Sequence, residues 1–234
     1  MHIYRNRWHV AATFSVIVVP LVYLIVFTTV ANLSTGELIR ETVISLGRIL
    51  VAYLISVAIA WPLAVFFYRG RRATIALPFF DVLNSLPTSA ALPLAAIVLG
   101  PSTTTVIIFL VAEITWPMLF SIVSALKLIR DDWGEAVHIA GLRGWGYLRW
   151  FLMPASFSGL VTGSIVGLGD GWQALIATEI IVRARGGLGI FFAEHAGSYQ
   201  LTLLGIFGLL LVIFAVNKLL WLPLLEYSHR QLEN

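Results

Sequence analysis

The sequence predicts an all-α, polytopic membrane protein, and three observations carry that prediction. Hydrophobic residues make up 59% of the 234-residue chain against 12% charged, with a mean hydropathy of +0.91, which leaves too little polar surface to cover a soluble globule. The apolar residues fall into runs long enough to cross a hydrocarbon core, which takes about 20 helical residues. The basic residues cluster beside those runs, as topology signals do, and form no aromatic-interleaved stripe of the kind that binds nucleic acid.

Six spans are expected, over residues 9–31, 43–68, 74–99, 104–127, 153–182 and 200–225. The first opens like a secretory signal, but its apolar run from Val10 to Val30 is about twice the usual length of such a segment, so it is expected to stay as a membrane helix. Arg5 and Arg7 precede the first span, Arg69, Arg71 and Arg72 follow the second, Lys127, Arg130, Arg143 and Arg149 separate the fourth from the fifth, and Arg230 follows the sixth. Arg40, Arg183 and Arg185 fall on the opposite side. The bias places both termini and the segment at about 129–152 in the cytoplasm. No repeat or linker divides the chain, so residues 1–234 read as one transmembrane domain.

Two spans have unusual character. Pro78, Pro87 and Pro93 interrupt the third, with the polar run Asn84 to Ser89 inside it, so it should break. Broken backbone at membrane depth needs protein or water around it, and the segment reads either as pathway lining or as a proline-kinked packing helix. The fifth carries Ala155, Gly159, Gly163, Gly167 and Gly171 at a four-residue interval, a ridge that permits close helix packing within the subunit or against a second copy. Val161 is expected off that ridge and tolerant of a larger side chain.

Asp81, Glu113, Asp170 and Glu179 fall inside or near the ends of spans, where a lone charge costs at least ~2.5 kcal/mol. Together with Asn84 and Ser85 they are candidates for a substrate pathway, for a proton relay, or for caps and buried pairs, with Arg48 as the cationic partner. Four acids against one arginine neither require nor exclude an anionic substrate. His2, His9, His138, His195 and His229 lack the spacing of a helical metal site, and there is no cysteine, so no metal site is expected. No nucleophile elbow or HExxH sequence is present. Neither lysine, Lys127 or Lys218, follows a glycine, so Gly186–Gly189 is no Walker A loop and the chain is not expected to be an enzyme or to bind a cofactor itself.

The one polar, helix-patterned block is EAVHIAGLRGWGYLRWFLMP, from Glu135 to Pro154. Asp132 and Glu135 have capping-box spacing, Gly141 should stop the helix they start, and a second short helix should run from Trp145 to Trp150. This block resembles the EAA loop of bacterial ABC importer permeases. Glu135, Ala136, Gly141, Phe151, Met153 and Pro154 stand in register with the family pattern, while Val137 replaces its second Ala and Met153 its Leu. The resemblance runs from about Leu77 to the C-terminus, and the sulfonate, nitrate and taurine branch is the most similar. It implies a subunit of an ATP-driven importer in the bacterial inner membrane, for a small organic or inorganic anion such as sulfonate, nitrate or taurine. It also implies a second permease subunit, identical or homologous, a cytoplasmic ATPase dimer carrying ATP and Mg, and an extracytoplasmic solute-binding protein, with membrane lipid around the spans and no nucleic acid. Glu135, Ala136, Val137, Gly141 and Pro154 would then form the ATPase-coupling segment, with Pro154 starting the fifth span and coupling the two. A proton-coupled carrier or channel using the buried acids is the alternative, and a scaffold without a pathway is a weaker third.

Overall fold

The computed structural model describes residues 18, 22, 25, 26, 29 and 35–226, so the expected first span lies almost wholly outside the described residues. The described chain is helical, in the order α1 (Thr35–Phe67), α2 (Gly70–Asn84), α3 (Thr88–Leu99), α4 (Thr103–Lys127), α5 (Asp131–Ile139), α6 (Gly144–Tyr147), α7 (Met153–Val182), α8 (Leu188–Glu194) and α9 (Tyr199–Val216). Among the described residues there is no strand. Four stretches are long and apolar enough to cross a membrane: Leu38–Phe67, Thr103–Lys127, Gly144–Val182 and Leu201–Glu226. They correspond to the expected second, fourth, fifth and sixth spans.

The expected third span is two helices, each shorter than a bilayer requires. The break falls where the sequence places it. Ser85 closes α2 by donating its amide to the Asp81 carbonyl at 3.0 Å and its hydroxyl to the Val82 carbonyl at 2.7 Å. Pro87 then takes an extended conformation (φ −69°, ψ 99°), and its carbonyl accepts the Ala90 amide at 3.0 Å to start α3. Proline at this point has no amide to leave unsatisfied and disfavours helix in the residue before it.

The core is built on α4, which packs against α7 on one side and α1 on another. Val106, Leu110, Ile114, Met118, Ile122 and Leu126 recur every fourth residue along it and are all fully buried. The glycine ridge of α7 faces this row, so of the two arrangements open from sequence, packing within the subunit is the one adopted. A Cβ at Gly159 would stand 2.6 Å from the Ser121 carbonyl oxygen, one at Gly163 2.6 Å from the Met118 Cα, and one at Gly167 2.8 Å from the Ile114 carbonyl oxygen. These neighbours are backbone and cannot rotate away. Two polar contacts fasten α1 to α7: Tyr53 to Ser164 at 3.0 Å and Trp61 Nε1 to Ser156 Oγ at 2.9 Å. Such bonds between helices satisfy groups that lipid cannot. Val161, expected to be tolerant, is only 2% exposed, because α7 has neighbours on several sides and the ridge is not its sole buried face.

A second difference from expectation concerns Pro154, which starts no helix. The chain from Gly144 to Val182 is continuously helical, with a π turn at Leu148–Leu152 in which the Met153 amide bonds the Leu148 carbonyl five residues back. Another π turn, Asn217–Trp221, closes with the Leu222 amide on the Asn217 carbonyl. In both cases a proline follows the closing residue, Pro154 and Pro223. The ring of a helical proline collides with the carbonyl four residues back, and a widened turn relieves that collision without ending the helix. Pro62 and Pro117 lie inside α1 and α4 without such a turn, so proline permits it but does not demand it.

Candidate functional site

The resembling segment projects from one end of the bundle. Glu135 and Ala136 are exposed on α5 and Val137 is half-buried. Gly141 has φ +75°, and the Leu142 amide reaches back to the Val137 carbonyl at 3.2 Å, a six-to-one closure that needs a left-handed residue at this position. Gly144, at φ +54°, makes the next turn and leads into α6. The helix begins at Asp131, so Asp132 sits in its first turn and pairs with Arg130 at 2.6 Å instead of capping. The expected separate helix from Trp145 to Trp150 is the leading part of the continuous helix that becomes α7. Ile139 is 88% exposed, and Trp133, Trp145 and Trp150 are exposed with it. A polar segment that displays large apolar side chains has the composition of a docking surface.

The base of this segment is tied down. Arg69 Nη2 donates to the Ile129 carbonyl at 3.2 Å, and Leu152 is buried. Tyr68, just past the end of α1, is hydrogen-bonded to Tyr147 of α6; burial and that bond push its phenol from 10.0 up to about 12. Tyr147 also stacks near Phe151, ring centres 5.3 Å apart. The two phenols thus link the α1–α2 corner to the start of the long helix.

At the far end of α7, about 39 Å from Met153 at 1.5 Å per residue, a second constellation lies buried. Glu179 is 0% exposed, and Arg48, on α1, is 4% exposed, with Nη1 2.6 Å from Oε1. The carboxylate also accepts from the Ser45 hydroxyl at 2.8 and 3.0 Å and from the Gly189 amide at 2.8 Å. Ser45 in turn accepts the Leu188 amide at 2.8 Å, and Glu41 accepts the Gly187 amide. Arg48 spends its remaining donors on the Gly186 carbonyl at 2.7 Å, the Arg185 carbonyl at 2.9 Å and Thr103 Oγ1 at 3.3 Å, leaving only Nε without a partner.

Local sequence explains why the loop returns over Glu179. Arg183 adopts the left-handed conformation (φ 52°), and the Ala184 amide bonds the Glu179 carbonyl at 3.2 Å, which reverses the chain. Gly186 and Gly187 continue at φ +73° and +114°. A Cβ at Gly189 would lie 2.6 Å from the Glu179 Cβ, so the loop can lie on the carboxylate only because it lacks side chains there. Among the readings open for the buried charges, Arg48 and Glu179 form a buried pair. Glu41 and Ser45 were not singled out from sequence. A signal was present: Glu41, Ser45 and Arg48 recur at four- and three-residue intervals, which places them on one face of α1.

Glu113 and Asp170 are brought together elsewhere, on a cavity of about 260 Å³ whose walls include Gln173, Ala174 and Ala177. The Thr88 hydroxyl bonds the Glu113 carboxylate, tying the start of α3 to α4. Asp81, Asn84 and Ser85 sit exposed at the end of α2 and are not among the walls of this cavity. Among the described residues no cluster of three or more His, Asp or Glu side chains is placed to hold a metal.

Comparison with known proteins agrees with this architecture. The family model described as binding-protein-dependent transport system inner membrane component matches residues 52–221. The chain is 29% identical over 159 residues to a putative ABC transporter permease protein of Methanocaldococcus jannaschii, covering 67% of this chain and 59% of that protein. It is 24% identical over 188 residues to the nitrate import permease protein NrtB of Synechococcus elongatus, covering 76% and 66%. Against the taurine transport system permease protein TauC of Escherichia coli the identity is 29% over 161 residues, covering 68% and 57%. The chain therefore spans less than two thirds of the length of these relatives. With most of its length matched by one family and its helices built to cross a bilayer several times, the chain belongs to the binding-protein-dependent transport system inner membrane components.

Proposed function

We propose that this chain is the permease subunit of an ATP-driven importer, in which the spans form the translocation pathway and α5 docks on a cytoplasmic ATPase subunit. The observation that carries the reading is the projecting segment itself. Glu135, Ala136 and Gly141 stand in the EAA register on an exposed helix and its glycine turn, anchored at the base through Ile129 and Tyr147 and continuous with a span. In this reading both termini and the projecting segment face the cytoplasm. ATP and Mg reside on the partner ATPases, a second permease copy or homologue completes the pathway, and an extracytoplasmic binding protein delivers the solute. The similarity to a nitrate import permease and a taurine transport system permease supports a small anion as the transported class.

Gly141→Arg and Glu135→Arg test this. Arginine is strained at φ +75°, and at Glu135 it reverses the charge of an exposed side chain in the middle of the docking helix. Both variants should reach the membrane at normal abundance yet lose the co-purifying ATPase and at least ~90% of substrate uptake, the tenfold loss that about 1.4 kcal/mol of binding gives. Normal ATPase retention with normal uptake would remove the reading. The carrier reading has one observation in its favour, the two carboxylates on one cavity, and would then take its place; its mark is uptake that survives ATP depletion.

A further inference from the structure

At the end of the bundle that bears α5, a groove of about 590 Å³ runs between the start of α2 and the end of α4. Its polar walls are Tyr68, Arg69, Thr74 and Lys127, and its apolar walls are Gly70, Ala73, Leu77 and Pro78; no acidic residue lines it. Two spans end beside it, α1 at Phe67 and α4 at Lys127, so it opens at the boundary of the hydrocarbon layer. The cations and Gly70 lie at that boundary. Ala73, Leu77 and Pro78 lie about one to two helical turns deeper along α2, roughly 5 to 12 Å at 1.5 Å per residue. The groove is thus cationic where headgroups lie and apolar where acyl chains begin.

We infer that this groove seats the phosphate of an anionic phospholipid between Arg69 and Lys127, with an acyl chain along Ala73, Leu77 and Pro78. A free phosphate ion would use the cations and waste the apolar wall. A zwitterionic lipid would use the wall but bring a cationic group to two cations. Basic pockets between spans at a membrane surface select anionic headgroups for these reasons. The position has a consequence for the projecting segment. The Arg69 guanidinium also holds the Ile129 carbonyl, and the neighbouring Tyr68 holds Tyr147. A lipid drawn to Arg69 therefore bears on the base of the segment, whatever that segment docks against, so the inference does not depend on the importer reading.

The test is native mass spectrometry of the full chain released from detergent, titrated separately with phosphatidylglycerol, with phosphatidylcholine of the same acyl chains, and with inorganic phosphate. One phosphatidylglycerol should be retained in preference to phosphatidylcholine, and phosphate should not displace it. Lys127→Gln and Arg69→Gln should each weaken retention about fivefold, the usual effect of one basic residue at an anionic surface. Arg69→Lys and Lys127→Arg should keep it, and Arg71→Gln, outside the groove, should leave it unchanged. Lys127 is exposed, so its replacement does not threaten folding. Equal retention of phosphatidylcholine, displacement by inorganic phosphate, full retention in Lys127→Gln, or an equal loss in Arg71→Gln would each overturn the inference.

Discussion

Removing the charge of Glu179 is the sharpest perturbation this structure offers. In Glu179→Gln the side chain keeps its size, but Arg48 is left charged at 4% exposure with no counter-ion at 2.6 Å. Breaking one partner of a buried pair typically costs about 3 to 5 kcal/mol. The carboxylate now accepts from Ser45, Arg48 and Gly189, all donors, and the amide of glutamine must turn its own donor toward at least one of them. That mismatch puts the cost at the upper part of the range. For a domain of this size about 1 kcal/mol moves the midpoint by roughly 2 to 4 °C, so a cost of about 4 to 5 kcal/mol should lower it by roughly 8 to 20 °C. Arg48→Met should fall by a similar amount. The double variant Arg48→Met, Glu179→Met should be less destabilised than the sum by about 0.5 to 3 kcal/mol, since neither charge is then orphaned. It should not return to wild type, because the Arg185 and Gly186 carbonyls and the Gly189 amide lose their partners. The assay is thermal unfolding of the full chain in one detergent, with Glu194→Gln on the exposed face as control. A midpoint for Glu179→Gln within about 2 °C of wild type, or strict additivity in the double variant, would refute the account of this pair as the clasp of the 183–189 loop.

Three further outcomes follow from the geometry. Gly163→Leu should destabilise the chain by at least about 1 to 3 kcal/mol through overpacking on Met118, while Val166→Leu, at a site 48% exposed, should melt as wild type; equal melting of both would mean α7 and α4 separate easily. In this cysteine-free chain, Arg71→Cys and Gly197→Cys should be labelled by impermeant thiol reagents from opposite faces of the membrane, and labelling from one face would refute the span order. A Cβ at Gly197 meets open space, so a cysteine fits there without displacing a neighbour. The raised phenol of Tyr68 predicts a pH dependence: its folded value, about 12, lies above the unfolded 10.0, so its contribution is whole below pH 10 and is lost as pH rises through 12. The stability gap between wild type and Tyr68→Phe should shrink across that window, and a gap that widens would reverse the assignment.

What was legible in the sequence follows from how local its cause is. Pro87 breaks the third span because a proline acts on its own backbone, and no neighbour is needed to see it. Gly141 and its turn are local in the same sense. The glycine ridge was visible as a pattern, but its partner was not, since Met118 and Ile114 become its floor only when α4 is placed against it. Val161 was misread for that reason: burial on a second face depends on a third helix. The clasp around Glu179 is the intermediate case. Its arginine was legible as the cation for one of four acids, whereas the choice of Glu179 and the parts of Glu41 and Ser45 showed only once the loop came back over them. Pro154 misled in the other direction, because a proline can be carried inside a helix when the turn before it widens.

That widening bears on how the ends of the molecule communicate. The helix from Gly144 to Val182 is 39 residues, about 58 Å at 1.5 Å per residue, and it carries the tie to Tyr68 at one end and the Arg48–Glu179 clasp at the other. Between them the glycine ridge brings its backbone against that of α4 too closely for either helix to slide independently. Packed interiors of this kind shift as bodies and do not deform smoothly. The one stretch of this helix with altered hydrogen bonding is Leu148–Leu152, between the projecting segment and the ridge. Under the proposed function, a displacement imposed on α5 enters the long helix at that turn, and α4 must follow α7. The same motion then arrives at the clasp, where Arg48 of α1 holds the other side. Stiffness along α7 and compliance at its π turn are thus two halves of one mechanical arrangement, and the clasp marks where it meets α1.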